Sequence, residues 1–345
     1  MPSFSPPVVL LTCGDPAGIG PEVAALAWAA TAAHGRARLR LVADPAMIAA
    51  VLANRRGMPA LRITPVTVAD PRPSTADELL VIATGEPAET IVPGRPSPAG
   101  GRQAAAAVNT AFASVRGGAA HAIVTGPLHK EALHAAGYDV PGHTELLARG
   151  CGLPDEAASM MLWLPSTNGP GGLGVVHATL HQSLRSAVGD LSTERIVAAG
   201  GRLAALLTAL VGRPPRLAVA ALNPHGGEGG LFGDEESRLI RPAVDQLAAA
   251  GLTVCGPLPA DTLFLRASRG EFDGVVALYH DQGHIPVKLL GMHRAVNITL
   301  GLPLVRTSVA HGTAFDIVGQ GRADPSSMLS AIDAAVRLVA AGWCG

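Results

Sequence analysis

Short apolar runs of strand type alternate with longer Ala-rich segments, and this alternation limits the possible folds more than any other feature of the chain. Residues 8–12, 39–43, 79–83, 122–124, 217–222 and 275–278 are apolar at nearly every position instead of at every second one. Strands of this kind are buried on both faces, which calls for helices above and below a mostly parallel sheet. Residues 102–115, 193–210 and 235–250 read as such helices. The last has acids in its first turn and Gly251 just past its end. The expected fold class is therefore α/β with parallel sheets. Residues 58–98 are crowded with prolines and read as loops and edge elements, not as a linker between independent domains. No internal repeat is present.

Composition then removes whole classes of function. The 345 residues carry 26 Lys+Arg against 27 Asp+Glu, a net charge of −1, so there is no electrostatic footprint for nucleic acid. The 41 glycines and 28 prolines are interleaved with apolar runs, which indicates many tight turns and not disorder. The longest uncharged stretch, 157–184, contains Pro165, Asn168, Pro170, Gly171, Gly172, His177 and His181, and is no membrane helix. The first seven residues lack a positive segment and the run 8–11 is too short for a secretory signal, so a cytoplasmic location is expected. Cys13, Cys151, Cys255 and Cys344 are far apart and form no C-x-x-C pair, which predicts neither a disulfide framework nor a zinc knot.

Four segments could carry chemistry. After the first strand, C-G-D-P-A-G-I-G-P-E (residues 13–22) combines three glycines with Pro21 at a helix start. It suits either a ligand at a helix N-terminus or a plain strand-to-helix turn, and it lacks the frame of a dinucleotide fingerprint. Histidines cluster directly after apolar strands: His143 in G-H-T-E, His181 in A-T-L-H-Q-S-L-R, His225 in N-P-H-G-G-E-G-G and His280 in Y-H-D-Q-G-H. Strand C-terminal ends are where α/β sheets gather their sites. Three imidazoles with Asp261 and Asp281 nearby could hold a divalent metal and leave positions open for substrate. Spacing leaves open which three, because no H-x-x-x-H helix fixes them. Lys288, Asn297 and Arg306, in a chain with 15% charged residues, suit a phosphate or carboxylate. Finally, in H-G-T-A-F-D-I-V-G-Q-G (residues 311–321) the glycines allow close approach to a flat ligand, and Asp316 could accept ribose hydroxyls.

Taken together, G-D-P-A-G-I-G-P-E, V-T-G-P-L-H-K, G-H-T-E, L-N-P-H-G-G-E-G-G, A-D-T-L-F, Y-H-D-Q-G and H-G-T-A-F-D-I closely resemble the 4-hydroxythreonine-4-phosphate dehydrogenase family of vitamin B6 biosynthesis, across almost the whole chain. The last segment is also similar to the cofactor loop of isocitrate and isopropylmalate dehydrogenases. The resemblance implies two α/β/α domains of that dehydrogenase type with an active-site cleft between them, here expected as residues 1–125 with 300–345 and residues 126–299. It further implies His181, His225 and His280 as ligands of one divalent metal ion (zinc, magnesium, cobalt or manganese). His143, Thr144, Lys288, Asn297 and Arg306 would bind substrate, chiefly its phosphate, and His311, Gly312, Thr313 and Asp316 would bind NAD or NADP. Asp261 and Asp281 are candidates for orienting the ligands or moving a proton.

The implied reaction is oxidation of 4-phosphohydroxy-L-threonine at C3 by hydride transfer to NAD(P), followed by decarboxylation to 3-amino-2-oxopropyl phosphate. The implied assembly is a homodimer with the active site at the subunit interface, so that one metal ligand and the basic cluster would come from the partner chain. Two departures bear on substrate: Cys13 ahead of G-D-P, and an apparent Gly/Pro insertion at 166–172. Relatives of this type that act on 4-phospho-threonate, 4-phospho-erythronate or an aromatic cis-dihydrodiol carboxylate share the metal and cofactor motifs. A metal-dependent lyase or hydrolase without nicotinamide, and a non-catalytic phosphometabolite-binding protein, are the alternatives of other classes.

Overall fold

A computed structural model describes residues 6–86, 89–166 and 171–345. Along the chain run β1 (Val8–Thr12), α1 (Gly20–Ala30), β2 (Arg38–Val42), α2 (Pro45–Asn54), β3 (Arg62–Pro65), β4 (Glu78–Ile82), α3 (Pro98–Arg116), β5 (Ala122–Thr125), α4 (Lys130–Ala135) and α5 (His143–Gly150). Next come β6 (Ser159–Pro165), β7 (Gly172–His177), α6 (Leu184–Gly189), α7 (Thr193–Val211), β8 (Arg216–Ala220), α8 (Arg241–Ala249), β9 (Thr253–Leu258) and α9 (Ala260–Ser268). The last are β10 (Gly274–Ala277), α10 (His280–Gly291), β11 (Val296–Leu300), β12 (Val305–Val309) and α11 (Ser326–Ala340).

Two compact units result, Met1–Ser159 with Gly301–Gly345, and Met160–Leu300. In the first unit the strands lie in the order β3-β4-β2-β1-β5-β12, and every pair is parallel. The residues of β1 are completely buried, as an apolar run sandwiched between helices must be. The segment 126–159, expected in the second domain, belongs to this first unit. Leu147 and Ala148 of α5 are buried in one cluster with Val108 and Ala111 of α3, and that shared apolar contact holds the segment there.

The second unit has the order β11-β6-β7-β10-β8-β9. Its β7, β10, β8 and β9 run parallel, and β6 pairs antiparallel with β7. The apparent insertion at 166–172 joins these two strands, and its residues 167–170 lie outside the described residues. α7 is a clean amphipathic element: Ser192 caps its start by accepting from Arg195 N, Gly212 ends it in the left-handed region, and Ile196, Leu203, Leu207 and Leu210 line the buried face. Among the described residues no helix is long and apolar enough to cross a membrane.

Asp273, just before β10, fastens this sheet at its N-terminal edge. Its carboxylate accepts from both Nη atoms of Arg213, and from Nε and the main-chain N–H of Arg216. Burial alone would raise the carboxyl, yet the guanidinium and amide donors prevail and hold it at about 2. A depressed folded-state value stabilises the fold above the ordinary carboxylate range of 3.8, and that contribution is lost as pH falls toward about 2. Asp273→Asn is expected to cost about 1–3 kcal/mol at neutral pH and to flatten the acid limb of a stability-against-pH curve. Urea titrations between neutral and acid pH check this, and equal acid limbs in both proteins would contradict it.

Candidate active site

Parallel neighbours end at the same edge, so the loops that leave them meet. In the first unit Thr12, Thr125 and Ser308 stand in register at the ends of β1, β5 and β12. A Cβ at Gly20 or Gly126 would run into the carbonyl of Cys13, and one at Gly14 into that of Pro127. The glycines of residues 13–22 thus serve backbone-on-backbone packing. Asp15 N donates to Pro127 O at 2.9 Å, and Ile19 N donates to Thr313 O at 2.9 Å. Burial raises the Asp15 carboxyl above its ordinary value.

Glu22, in the first turn of α1, ties this knot to the H-G-T-A-F-D segment. It is fully buried and accepts from Arg55 Nη1 at 3.0 Å and from Gly319 N at 2.8 Å, while Arg55 also donates to the carbonyls of Pro16 and Gly18. Of the expected cofactor residues, Thr313 is buried, and His311 donates from Nδ1 to Gly312 O at 2.9 Å. His311 Nε2 is buried with no hydrogen-bond partner among the described residues. Gly312 and Asp316 are exposed. Ala314 adopts φ 44°, a left-handed value that costs a residue with a Cβ energy and often marks a functional turn. Beside this segment a cavity of about 460 Å³ is lined by Pro16, Asp44, Met47, Arg55, Ile91 and Gly319. All of these lie on loops or the helix leaving strand C-terminal ends, where open α/β sheets take ligands, and the volume suits part of a nucleotide. Of the 311–321 segment only Gly319 lines this cavity, while the unpartnered Nε2 of His311 and the exposed Asp316 carboxylate offer the donor and acceptor chemistry that the implied cofactor needs.

Arg306, buried inside β12, donates from Nε and Nη2 to Thr125 Oγ1 at 3.1 and 2.7 Å. Burial lowers its guanidinium to about 10, against the raising effect of Glu145, so it remains a cation. Next to it His143, at the start of α5, is held well below its ordinary value by burial and by the Arg306 charge. Its Nε2 has no partner among the described residues. A fixed cation beside a neutral imidazole suits a phosphate, and Thr144 follows on the same helix start.

In the second unit the three expected metal ligands follow the C-terminal ends of three adjacent parallel strands, His181 after β7, His280 after β10 and His225 after β8. Gln282 pins this edge: its Oε1 accepts from Leu278 N and its Nε2 donates to Ala221 O, both at 2.7 Å. His181 and His280 have ring centroids 5.7 Å apart and line one cavity of about 320 Å³ with Tyr279 and Asp281. His225 lines a different cavity of about 390 Å³ with Glu236 and Arg241. Among the described residues no group of three or more His, Cys, Asp or Glu side chains is placed to hold a metal ion. Within one chain the three imidazoles are thus divided between two cavities.

The His225 loop explains its own sequence. His225, Gly226, Gly227, Glu228 and Gly229 all take left-handed values, φ 54°, 72°, 81°, 45° and 68°, a turn that L-residues resist and glycines permit. Glu236 braces it by accepting from the N–H groups of Leu222 and Asn223 and from the Asn223 amide. Burial would raise that carboxyl, but these donors prevail and lower it. Asp281 accepts from His280 Nδ1 at 2.6 Å, the arrangement by which carboxylates fix metal-binding imidazoles, leaving Nε2 for a ligand. The chemistry of His280 and His181 thus suits ligands of a divalent ion, although one chain does not bring His225 to them. Asp261 is exposed in the first turn of α9 and Lys288 is exposed on α10, while Asn297 Oδ1 is buried without a partner among the described residues.

Sequence reasoning missed His177 and His284. His284 Nδ1 lies 3.2 Å from His177 Nε2, and the His284 ring stacks on His280 at 3.7 Å. Burial, ahead of the neighbouring imidazoles, holds His177 at about 3 and His284 at about 4. The signal was present, because H-x-x-x-H occurs as His177/His181 and, on α10, as His280/His284. Contrary to the expectation from spacing, α10 therefore carries one H-x-x-x-H pair on a helix. His129 was missed too: it caps α4 by accepting from Ala132 N and meets Phe315 edge-on at 5.1 Å.

These features place the chain among two-unit α/β proteins whose polar chemistry gathers at strand C-terminal edges. A solved β-decarboxylating dehydrogenase from Thermococcus kodakarensis, 13% identical and covering 97% of this chain and 84% of its own, shares the fold with a TM-score of 0.51. The family model described as pyridoxal phosphate biosynthetic protein PdxA matches residues 36–335, and the chain belongs to that family. It is 41% identical over 341 residues to a 4-hydroxythreonine-4-phosphate dehydrogenase of Bradyrhizobium diazoefficiens, with 96% of each covered. It is 40% identical over 338 residues to a D-threonate 4-phosphate dehydrogenase of Pectobacterium atrosepticum, covering 96% of this chain and 99% of the relative. A crystal structure of the 4-hydroxythreonine-4-phosphate dehydrogenase from Klebsiella pneumoniae superposes with a TM-score of 0.82 at 40% identity, covering 97% and 99% of the two chains.

Removing Glu22 would strand the buried Arg55 charge. Glu22→Ala is expected to cost about 3–5 kcal/mol and to speed hydrogen exchange at the Gly319 amide. Denaturant titration and exchange mass spectrometry read both, and a cost under about 1 kcal/mol with unchanged exchange would contradict the bracing role.

Proposed function

We propose that the chain is an NAD(P)-dependent, divalent-metal-dependent dehydrogenase that oxidises 4-phosphohydroxy-L-threonine and decarboxylates the product to 3-amino-2-oxopropyl phosphate, in pyridoxal phosphate biosynthesis. The observation that carries the proposal is the position of His181, His225 and His280 after three adjacent strands of one sheet, together with a braced H-G-T-A-F-D segment within the first unit. A metal-dependent lyase or hydrolase without nicotinamide has no use for the second feature, and a simple phosphometabolite binder has no use for either.

Arg306 and the neutral His143 hold the substrate phosphate, with Thr144, Lys288 and Asn297 supplying further donors. His181, His225 and His280 would hold the metal, which supplies Lewis acidity at the reacting oxygen in both the oxidation and the decarboxylation. His311, Gly312, Thr313 and Asp316 would hold the nicotinamide cofactor, which accepts the C3 hydrogen as hydride. Asp281 holds the proton on His280 Nδ1, and with Asp261 is the candidate for taking the hydroxyl proton, directly or through water. The β-keto acid then loses its carboxylate as carbon dioxide. A cytoplasmic location accords with this soluble substrate.

The assembly is a homodimer whose active site lies at the subunit interface. His225 and His280 line separate cavities, and exposed apolar side chains follow each of them in the chain: Leu231 (75% exposed) and Phe232 after His225, and Ile285 and Leu289 (82% exposed) after His280 on α10. Exposed apolar sets on the two histidine-bearing segments suit a self-complementary two-fold contact. Similar identity to the D-threonate 4-phosphate dehydrogenase favours a second reading, in which 4-phospho-D-threonate fills the same pocket.

A panel of 4-phosphohydroxy-L-threonine, 4-phospho-threonate, 4-phospho-erythronate and one aromatic cis-dihydrodiol carboxylate, run with each metal and each cofactor, tests the proposal. Cofactor reduction and carbon dioxide release are expected with a phosphorylated acid. Arg306→Gln should lower kcat/KM at least about 100-fold, as loss of a charge-assisted phosphate contact implies. Turnover of the unphosphorylated dihydrodiol alone, or none at all, would contradict it.

A further inference from the structure

We infer that His284, backed by His177, is a positioning residue for His280, and this rests on the reading of His280 as a metal ligand. His280 and His284 stand one turn apart on α10, with ring centroids 3.7 Å apart and planes within 9° of parallel. His284 Nδ1 lies 3.1 Å from the main-chain oxygen of His280. A carbonyl only accepts, so this contact puts the proton on His284 Nδ1 and turns the ring into a fixed plate against the first turn of the helix.

His177, at the end of β7, closes the other side. Its Nε2 is 3.2 Å from His284 Nδ1, and its ring faces that of His280 at 6.2 Å and 27°. The fit is tight enough that a Cβ at Gly283 would run into His177 Nε2 and Val175, so the helix can approach the strand here only through glycine. Two constraints of different kind then act on His280. Asp281 holds its Nδ1 in the ring plane, and the His284 plate blocks rotation out of that plane. An imidazole already confined in this way loses less rotamer freedom when its Nε2 takes an ion.

Packing alone predicts something different from positioning, because any side chain of similar bulk would fill the same space. The test uses the full-length protein and zinc, with affinity read by competition against a chromophoric chelator, and thermal unfolding of the metal-free protein as control. His284→Leu is expected to leave metal-free unfolding near wild type yet weaken zinc binding about 10- to 100-fold, the range for lost outer-shell support. His284→Phe, which restores a flat plate, is expected to recover most of that loss. Zinc affinity of His284→Leu within twofold of wild type, or His284→Phe as weak as His284→Leu, would overturn the inference. His280→Ala keeps the two levels apart: unchanged zinc affinity there removes the ligand reading, and this inference with it.

Discussion

A parallel sheet buried on both faces leaves one place for polar chemistry, the edge where strands give way to loops. Both units obey that constraint. In the first, Thr12, Thr125 and Ser308 mark the edge, and the loops beyond them pack so closely that only glycine fits at Gly14, Gly20 and Gly126. In the second, β7, β10 and β8 each release a histidine-bearing segment. The helices need only cover the faces, and the functional residues sit where the sheet cannot be covered.

Charge is spent in two ways in a chain this poor in it. Some groups are structural and paired within the fold, as with Glu22 and Arg55, Asp273 with its two arginines, and the Arg40 guanidinium on three main-chain carbonyls. Others are buried with an atom that no described residue meets, including His143 Nε2, Asn297 Oδ1 and His311 Nε2. A buried polar atom without a partner is costly, and these three fall in the segments proposed to bind substrate or cofactor.

The strands at 8–12, 39–43, 79–83, 122–124, 217–222 and 275–278 were legible because continuous apolar runs leave little alternative, and each has its counterpart in the sheets. β12 was hidden because Arg306, Thr307 and Ser308 interrupt its apolar pattern, although all are buried. Pairing of α5 with α3 depends on contacts between residues nearly forty apart, which local pattern cannot reveal, so the segment 126–159 was assigned to the other domain. Motif resemblance groups the site residues into metal, substrate and cofactor sets, but local pattern does not give the distances within each set. Two H-x-x-x-H spacings were overlooked, and with them the stacked pair behind His280. That His225 lines a separate cavity depends on its left-handed loop, which the glycines hint at without giving its direction.

In the proposed dimer His225 and His280 meet only when two subunits combine. Mixing inactive His225→Ala and His280→Ala proteins under conditions of subunit exchange is the most direct measurement. Half of the dimers would be mixed and each would hold one intact site, so activity should return to about a quarter of wild type. Mixed dimers, shown to form by differently tagged subunits, that stay as inactive as either parent would contradict a shared site.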